Sequence, residues 1–144
     1  MVSELVRPDL PQNQDLLSYL REHACRPGGP GDHVLGEWQL HTHPDLVERL
    51  ELVAPDGCPL IPLFGVPVLA ADGIVAVAAL GTSWLLVKIP ELPTGVELAA
   101  PLPPLTDQGW HAVNAWQSAL PDTEGQRKVS QLLAAALRHV NDIT

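Results

Sequence analysis

The residues best suited to chemistry are His41, His43 and Asp45, within the segment HTHPD. On a strand, residues i and i+2 lie on the same face, so the two imidazoles would point the same way. Imidazole and carboxylate groups are ligands of Zn²⁺ and similar ions. These three residues are therefore a candidate metal site, which would serve a small metal- or ligand-dependent enzyme. The competing interpretation is a group of surface or helix-capping residues, because polar side chains are common where a helix starts.

Nucleophilic residues elsewhere in the chain lack a catalytic pattern. A hydrolytic set would need Ser83, His111 and Asp107, but no G-x-S-x-G elbow surrounds Ser83, whose segment GTS is typical of a hairpin turn. Cys25 and Cys58 have no C-x-x-C partner, and we interpret them as a free thiol and a small core residue. We therefore predict no catalytic residue and no cofactor.

The charge of the chain narrows the classes of partner. Its 144 residues include 17 Asp and Glu but 8 Lys and Arg, which gives a formal net charge of −9. Between Glu51 and Gln126 the only Lys or Arg is Lys88. Nucleic acids and anionic membranes are bound through clustered Lys and Arg, so both are disfavoured as partners. A protein partner, or a second copy of the chain, fits the charge better.

Three features predict a soluble cytoplasmic protein. The N-terminal segment MVSELVRPDLPQNQ has neither a basic start nor an apolar run, so we expect no signal peptide. The apolar block from Cys58 to Pro90 is interrupted by prolines, glycines and Asp72, which argues against a membrane-spanning helix. Two cysteines make no disulfide framework in a chain of this length.

Tryptophan and proline mark the best candidate for a binding surface. Trp residues are enriched at interface hot spots, and proline-rich apolar segments are recognised by aromatic grooves. Such a segment, 90–109, is flanked by two tryptophans. The candidate interface or ligand residues are Trp38, Trp110, Trp116, Leu102 and Leu105. The alternative is a loop that packs over the protein's own tryptophans.

The chain divides into two units. Residues 1–31 contain a helix from about Pro11 to Ala24, with leucines on one stripe, and the connection RPGGPG at 26–31 ends it. This helix would pack either on the main body or on a partner. Residues 32–144 are predicted to form a single domain.

Short elements open this domain. Residues 34–41 partly alternate and predict one strand. Thr42, Pro44 and Asp45 are typical of a helix start, and an apolar stripe extends the helix to about residue 53.

The apolar block that follows predicts an antiparallel meander. Asp72-Gly73 is a strong hairpin signal, and Gly81-Thr82-Ser83 is a second turn. The predicted strands are an edge strand at Leu60–Phe64, then Val66–Ala70, Ile74–Leu80, Trp84–Ile89 and Trp110–Trp116. An amphipathic helix from Asp122 or Thr123 closes the chain. This order predicts an α+β fold, with a single antiparallel sheet and helices packed on one face.

The segment FGVPVLAADGIVAVAALGTSWLLVKIPE, followed by a proline-rich stretch, GWHAVNAW and a last helix, resembles a known family. It is similar to the small domains related to the TfoX amino-terminal domain and the MmcQ/YjbR proteins, over about residues 35–141. The matching positions are Phe64, Gly65, Pro67, Asp72, Gly73, Lys88, Gly109 and Trp110. The resemblance implies an α+β fold without catalytic residues, and a DNA-related role as in some members. The acidic charge of this chain departs from such a role.

The sequence therefore supports one leading hypothesis and two alternatives. The leading hypothesis is a non-catalytic protein-binding or regulatory domain that self-associates as a homodimer. The first alternative is the metal- or ligand-dependent enzyme that uses His41, His43 and Asp45. The second is a nucleic-acid-associated regulator, as the family resemblance implies.

Overall fold

A computed structural model describes the protein over residues 10–23, 33–35, 38–40, 44–55, 57–63, 66–80, 83–93, 95–98, 109–117 and 120–142. Three helices occur in these ranges: α1 (Pro11–His23), α2 (Pro44–Val53) and α3 (Asp122–Asp142). Seven strands occur in them: β1 (His33–Leu35), β2 (Trp38–Leu40), β3 (Ile61–Leu63), β4 (Val66–Ala71), β5 (Ile74–Leu80), β6 (Trp84–Lys88) and β7 (Trp110–Asn114). None of the described helices is both long enough and apolar enough to cross a membrane.

The fold is α+β, which confirms the prediction. Five strands form one sheet in the order β3-β4-β5-β6-β7, and each neighbouring pair is antiparallel. Strands that are consecutive in the chain are therefore neighbours in the sheet, which makes the sheet a meander.

The prediction of one strand at 34–41 was wrong. The chain forms two short strands there, β1 and β2, which pair antiparallel with His33 opposite Leu40 and Leu35 opposite Trp38. The sequence contains a signal against one continuous strand, because glycine, here Gly36, weakens the interior of a strand. This hairpin is a second, two-stranded sheet, and β2 lies beside β4.

The turn between β4 and β5 follows from its two residues. Asp72 and Gly73 have φ angles of 53° and 80°, and Ala71 lies opposite Ile74. Positive φ at both central residues defines a type I′ turn, whose twist matches that of the strands, and Asp-Gly is favoured there. Three residues after Gly73, the pairing between β4 and β5 shifts. Ala76 is therefore the extra residue of a β-bulge on β5.

Helices cover both faces of the large sheet, so the prediction of helices on one face is right for α2 and α3 but wrong for α1. α2 and α3 pack on one face, against a cluster that includes Leu69, Ile74, Val77, Leu85, Val87 and Val113. α1 lies on the opposite face, where Leu16 packs with Val66, Val68, Val75, Ala78, Leu86, Trp110 and Ala112. Ala76 and Ala79 face α3, and such small side chains let the long helix lie close over the centre of the sheet.

Candidate functional site

The predicted metal site lies mostly outside the described residues. His41 and His43 are not described, and Asp45 is an exposed residue in the first turn of α2. Among the residues that the structure describes, no group of three or more His, Cys, Asp or Glu could hold a metal ion. The metal site therefore stays a prediction.

The predicted interface tryptophans differ in their surroundings. Trp110 is 1% exposed and packs in the cluster beneath α1. Trp116 is half-buried, and the central carbon of the Arg49 guanidinium lies 5.6 Å from its ring centroid. Outside the described part of the structure lie the side chain of Trp38 and the residues Leu102 and Leu105. Trp110 is thus part of the core of the single chain, whereas Trp116 remains partly exposed to solvent.

The register of the sheet separates Ser83 from His111. The backbone carbonyl oxygen of Ser83 accepts the backbone N–H of Ala115 at 2.8 Å. His111 lies opposite Val87, towards the other end of the pairing between β6 and β7. Ser83 and Val87 are four residues apart along the chain, which in a strand corresponds to about 13 Å. Asp107 lies outside the described residues. These positions do not bring a serine–histidine pair together.

A buried ion pair joins α1 to the sheet. The Nζ atom of Lys88 lies 3.7 Å from Oδ2 of Asp15, and it donates a hydrogen bond of 2.6 Å to the carbonyl oxygen of Gln12. The indole Nε1 of Trp110 donates to the same Asp15 oxygen at 2.9 Å, and Nζ lies 5.7 Å from the Trp110 ring centroid. The lysine charge is thus balanced by a carboxylate and an aromatic face in a nearly dry setting.

Asn13 adds a second polar attachment of α1. Its side chain is fully buried and forms hydrogen bonds with the carbonyl oxygen of Gly73 and the N–H of Val75. We call Gln12, Asn13, Asp15, Lys88 and Trp110 together the α1 seam. Its groups fix the position of α1, so the arrangement is one of structural positioning.

Arg49 performs a similar task between α2 and α3. It is 5% exposed; its Nε donates to the carbonyl oxygen of Ala115 at 3.0 Å, and its Nη1 lies 3.1 Å from Oδ1 of Asp122. Its Nη2 is buried without a hydrogen-bond partner. The same side chain lies over Trp116, so one guanidinium links α2, the residues after β7 and the first residue of α3.

Gln117 and Asn114 hold the segment 95–98 against β7. Gln117 accepts the Glu97 N–H at 2.6 Å and donates to the carbonyl oxygens of Asn114 and Glu97. The Asn114 backbone N–H donates to the Glu97 carbonyl at 3.1 Å, and Leu98 forms a β-bridge with Val113. Leu98 therefore lies at the outer side of β7, with its side chain 58% exposed.

Asn13, Arg49 and Gln117 were not predicted from the sequence. Asn13 and Arg49 each lie on the buried stripe of their helix, at helical spacing from Leu16 and Leu46 respectively. A polar residue on an apolar stripe was the available signal, because a buried polar group needs a partner. Gln117 carried no comparable signal.

The outer face of α2 is acidic and carries one large apolar side chain. Glu48 and Glu51 are exposed, and Leu52 is 60% exposed. Glu48 and Leu52 are one helical turn apart and therefore adjacent on the helix surface. The single cation of this helix, Arg49, is buried.

A groove beside α3 carries more positive than negative charge, in contrast to the acidic face of α2. It encloses about 460 Å³ and is lined by Pro93, Leu120, Glu124, Arg127, Lys128, Gln131 and Leu132. Arg127 and Lys128 supply two cations against the single carboxylate of Glu124. Lys128 extends towards segment 95–98. If a residue with a Cβ atom replaced Gly95, that atom would lie only 2.9 Å from the Nζ of Lys128.

A second groove lies at the end of α2. It encloses about 380 Å³, and its lining includes Glu51, Ala54, Cys58 and Leu60. Burial raises the pKa of the Cys58 thiol, and a hydrogen bond with the Ala70 backbone acts in the opposite direction. The raised pKa keeps the thiol protonated near neutral pH, which makes it a poor nucleophile.

Comparisons with protein-family models, with curated proteins and with solved structures find no match for this chain.

Proposed function

We propose that the protein is a non-catalytic binding domain that recognises polypeptides, and that its first partner is a second copy of itself. The observation that carries the proposal is the solvent exposure of Leu52. This large aliphatic side chain is 60% exposed on a helix whose opposite side is fixed in the core.

The buried polar residues support a binding role for the surface. Lys88, Asp15 and Asn13 fix α1, and Arg49 fixes α2 to the start of α3. Buried hydrogen-bonded groups of this kind hold elements in one arrangement. A rigid arrangement lowers the entropy that association costs, because the exposed residues are already in place.

The charge distribution supports a protein partner over a nucleic acid. The formal net charge of −9 repels phosphate backbones, and two of the few cations, Arg49 and Lys88, are buried. A nucleic-acid role, the relation to the TfoX and MmcQ/YjbR domains and a cytoplasmic location stay predictions.

Sedimentation velocity and light scattering test the proposed self-association. We expect a mass of twice 15.5 kDa that falls towards the monomer value on dilution. A mass that stays at the monomer value at the highest soluble concentration would contradict the proposal.

A further inference from the structure

We infer that two copies of the chain pair by placing the outer face of α2 of each copy in the groove beside α3 of the other. This inference rests on the proposed self-association and names the surfaces that carry it. It depends on the exposed residues Glu48, Glu51 and Leu52 on one side, and on Arg127 and Lys128 on the other.

The exposed charges of α2 are acidic, whereas the α3 groove carries two cations beside the single carboxylate of Glu124. On α2 the outward-facing Glu48 and Glu51 have no exposed cation of the same helix to balance them, because Arg49 is buried. On α3 the groove gathers Arg127 and Lys128. Complementary patches of this kind favour one docking orientation and penalise those in which like charges meet.

The apolar parts of the two surfaces also match. Leu52 lies next to Glu48 on the surface of α2, so a partner must offer an apolar hollow with cations at its rim. The α3 groove offers Pro93 and Leu120 together with its two cations. Burying a leucine side chain that is now exposed contributes about 1.5–3 kcal/mol before the costs of association.

Symmetry and size also fit a dimer of identical chains. In a two-fold dimer, each contact between two chains occurs twice. A chain that carries both the acidic face of α2 and the α3 groove can therefore form the same contact at two places in one dimer. α2 and α3 lie on the same face of the sheet, so the two surfaces belong to the same helical layer of the protein. A specific interface needs roughly 800 Å² per partner. That is about a tenth of the 7546 Å² that the single chain exposes.

The decisive experiment is a charge reversal carried out on each half separately. One variant carries Glu48→Lys and Glu51→Lys, and the other carries Arg127→Glu and Lys128→Glu. Each variant alone brings like charges together in both contacts, so we expect self-association to weaken at least about tenfold. An equimolar mixture restores opposite charges in both contacts, and we expect it to form a heterodimer as stable as the wild-type dimer.

A matched pair of leucine variants gives a second readout. Leu52→Asp should weaken the dimer, whereas Leu98→Asp, at a similarly exposed leucine beside β7, should leave it unchanged. All the substituted residues have solvent-accessible side chains, and circular dichroism with urea unfolding verifies that each variant is folded.

The outcomes separate this inference from the proposed function. A dimer that survives both charge reversals, or that Leu98→Asp disrupts and Leu52→Asp does not, overturns the inference and leaves self-association standing. Failure of the two reversed variants to associate when mixed also overturns it. A wild-type protein that remains monomeric overturns both.

Discussion

The carboxamide of Asn13 pairs with the backbone around Val75 as a neighbouring strand would. Its Oδ1 accepts the Val75 N–H at 2.9 Å, and its Nδ2 donates to the carbonyl oxygen of Gly73 at 2.9 Å. β6 pairs with β5 from Val77 onwards, so the first residues of β5 lie beyond the end of that ladder. Buried backbone groups need partners, and the first turn of α1 supplies them. α1 is thereby attached through the hydrogen bonds of the sheet as well as through apolar packing.

We expect Asn13→Ala to lower the free energy of unfolding by about 2–6 kcal/mol. The substitution leaves the Val75 N–H and the Gly73 carbonyl buried without partners, at about 1–3 kcal/mol each. Urea unfolding followed by circular dichroism measures the change. Ser18→Ala, at an exposed position of the same helix, is the control and should stay within about 0.5 kcal/mol of wild type. Equal effects of the two substitutions would contradict the role of the Asn13 amide.

The ion pair of Asp15 and Lys88 should behave as a coupled unit. Lys88→Met leaves the Asp15 carboxylate with the Trp110 N–H but without its cation, which should cost about 3 kcal/mol. Asp15→Asn leaves the lysine charge without its carboxylate and should also destabilise the protein. The double variant removes both charges, so we expect it to be less destabilised than the sum of the single variants. A double-mutant cycle in urea measures this coupling, and strictly additive effects would exclude it.

The sheet could be predicted from the sequence because its signals are local. Asp72-Gly73 specifies the turn between β4 and β5, and the apolar runs on either side of it are long enough to identify both strands. The face to which α1 binds could not be predicted. Asn13 bonds with residues 60 and 62 positions away, and no local pattern encodes such partners.

The candidate surfaces were predictable only in part. The sequence shows the acidic residues of α2, and the helical stripe places Leu46 and Leu50 inside, but the exposure of Leu52 depends on how α2 packs on the sheet. The α3 groove was not predicted, because it forms where Pro93 and Leu120 meet α3 from other parts of the chain. Residues that are distant in sequence build it, and their spacing alone gives no sign of it.

Arg49 and Asp122 should contribute very unequally to stability. Arg49→Met removes a buried guanidinium that binds the Ala115 carbonyl, and we expect a loss of about 2–4 kcal/mol. Asp122→Asn removes only the carboxylate partner, whose side chain is 64% exposed, and should cost less than about 1 kcal/mol. Urea midpoints of the two variants measure the difference. Equal losses would mean that the ion pair, and not the bond to Ala115, carries the contribution of Arg49.

Stability should fall at alkaline pH because of Cys58 and Tyr19. Burial raises the pKa of both groups above their ordinary values, so each ionises more readily in the unfolded chain than in the folded one. Their contribution is therefore fully present below the unfolded pKa, about 8.5 for a thiol and about 10 for a phenol, and is lost as the pH rises through the folded pKa.

Urea unfolding of wild type and of the double variant Cys58→Ala, Tyr19→Phe, from neutral pH to about pH 11, tests this linkage. The two substitutions remove the titrating groups, so the decline in stability should be shallower in the variant than in wild type, whatever their effect at neutral pH. Parallel declines in the two proteins would show that other groups cause the alkaline loss. The comparison depends on the slope with pH and not on the absolute stability, so lost packing at either position does not affect its interpretation.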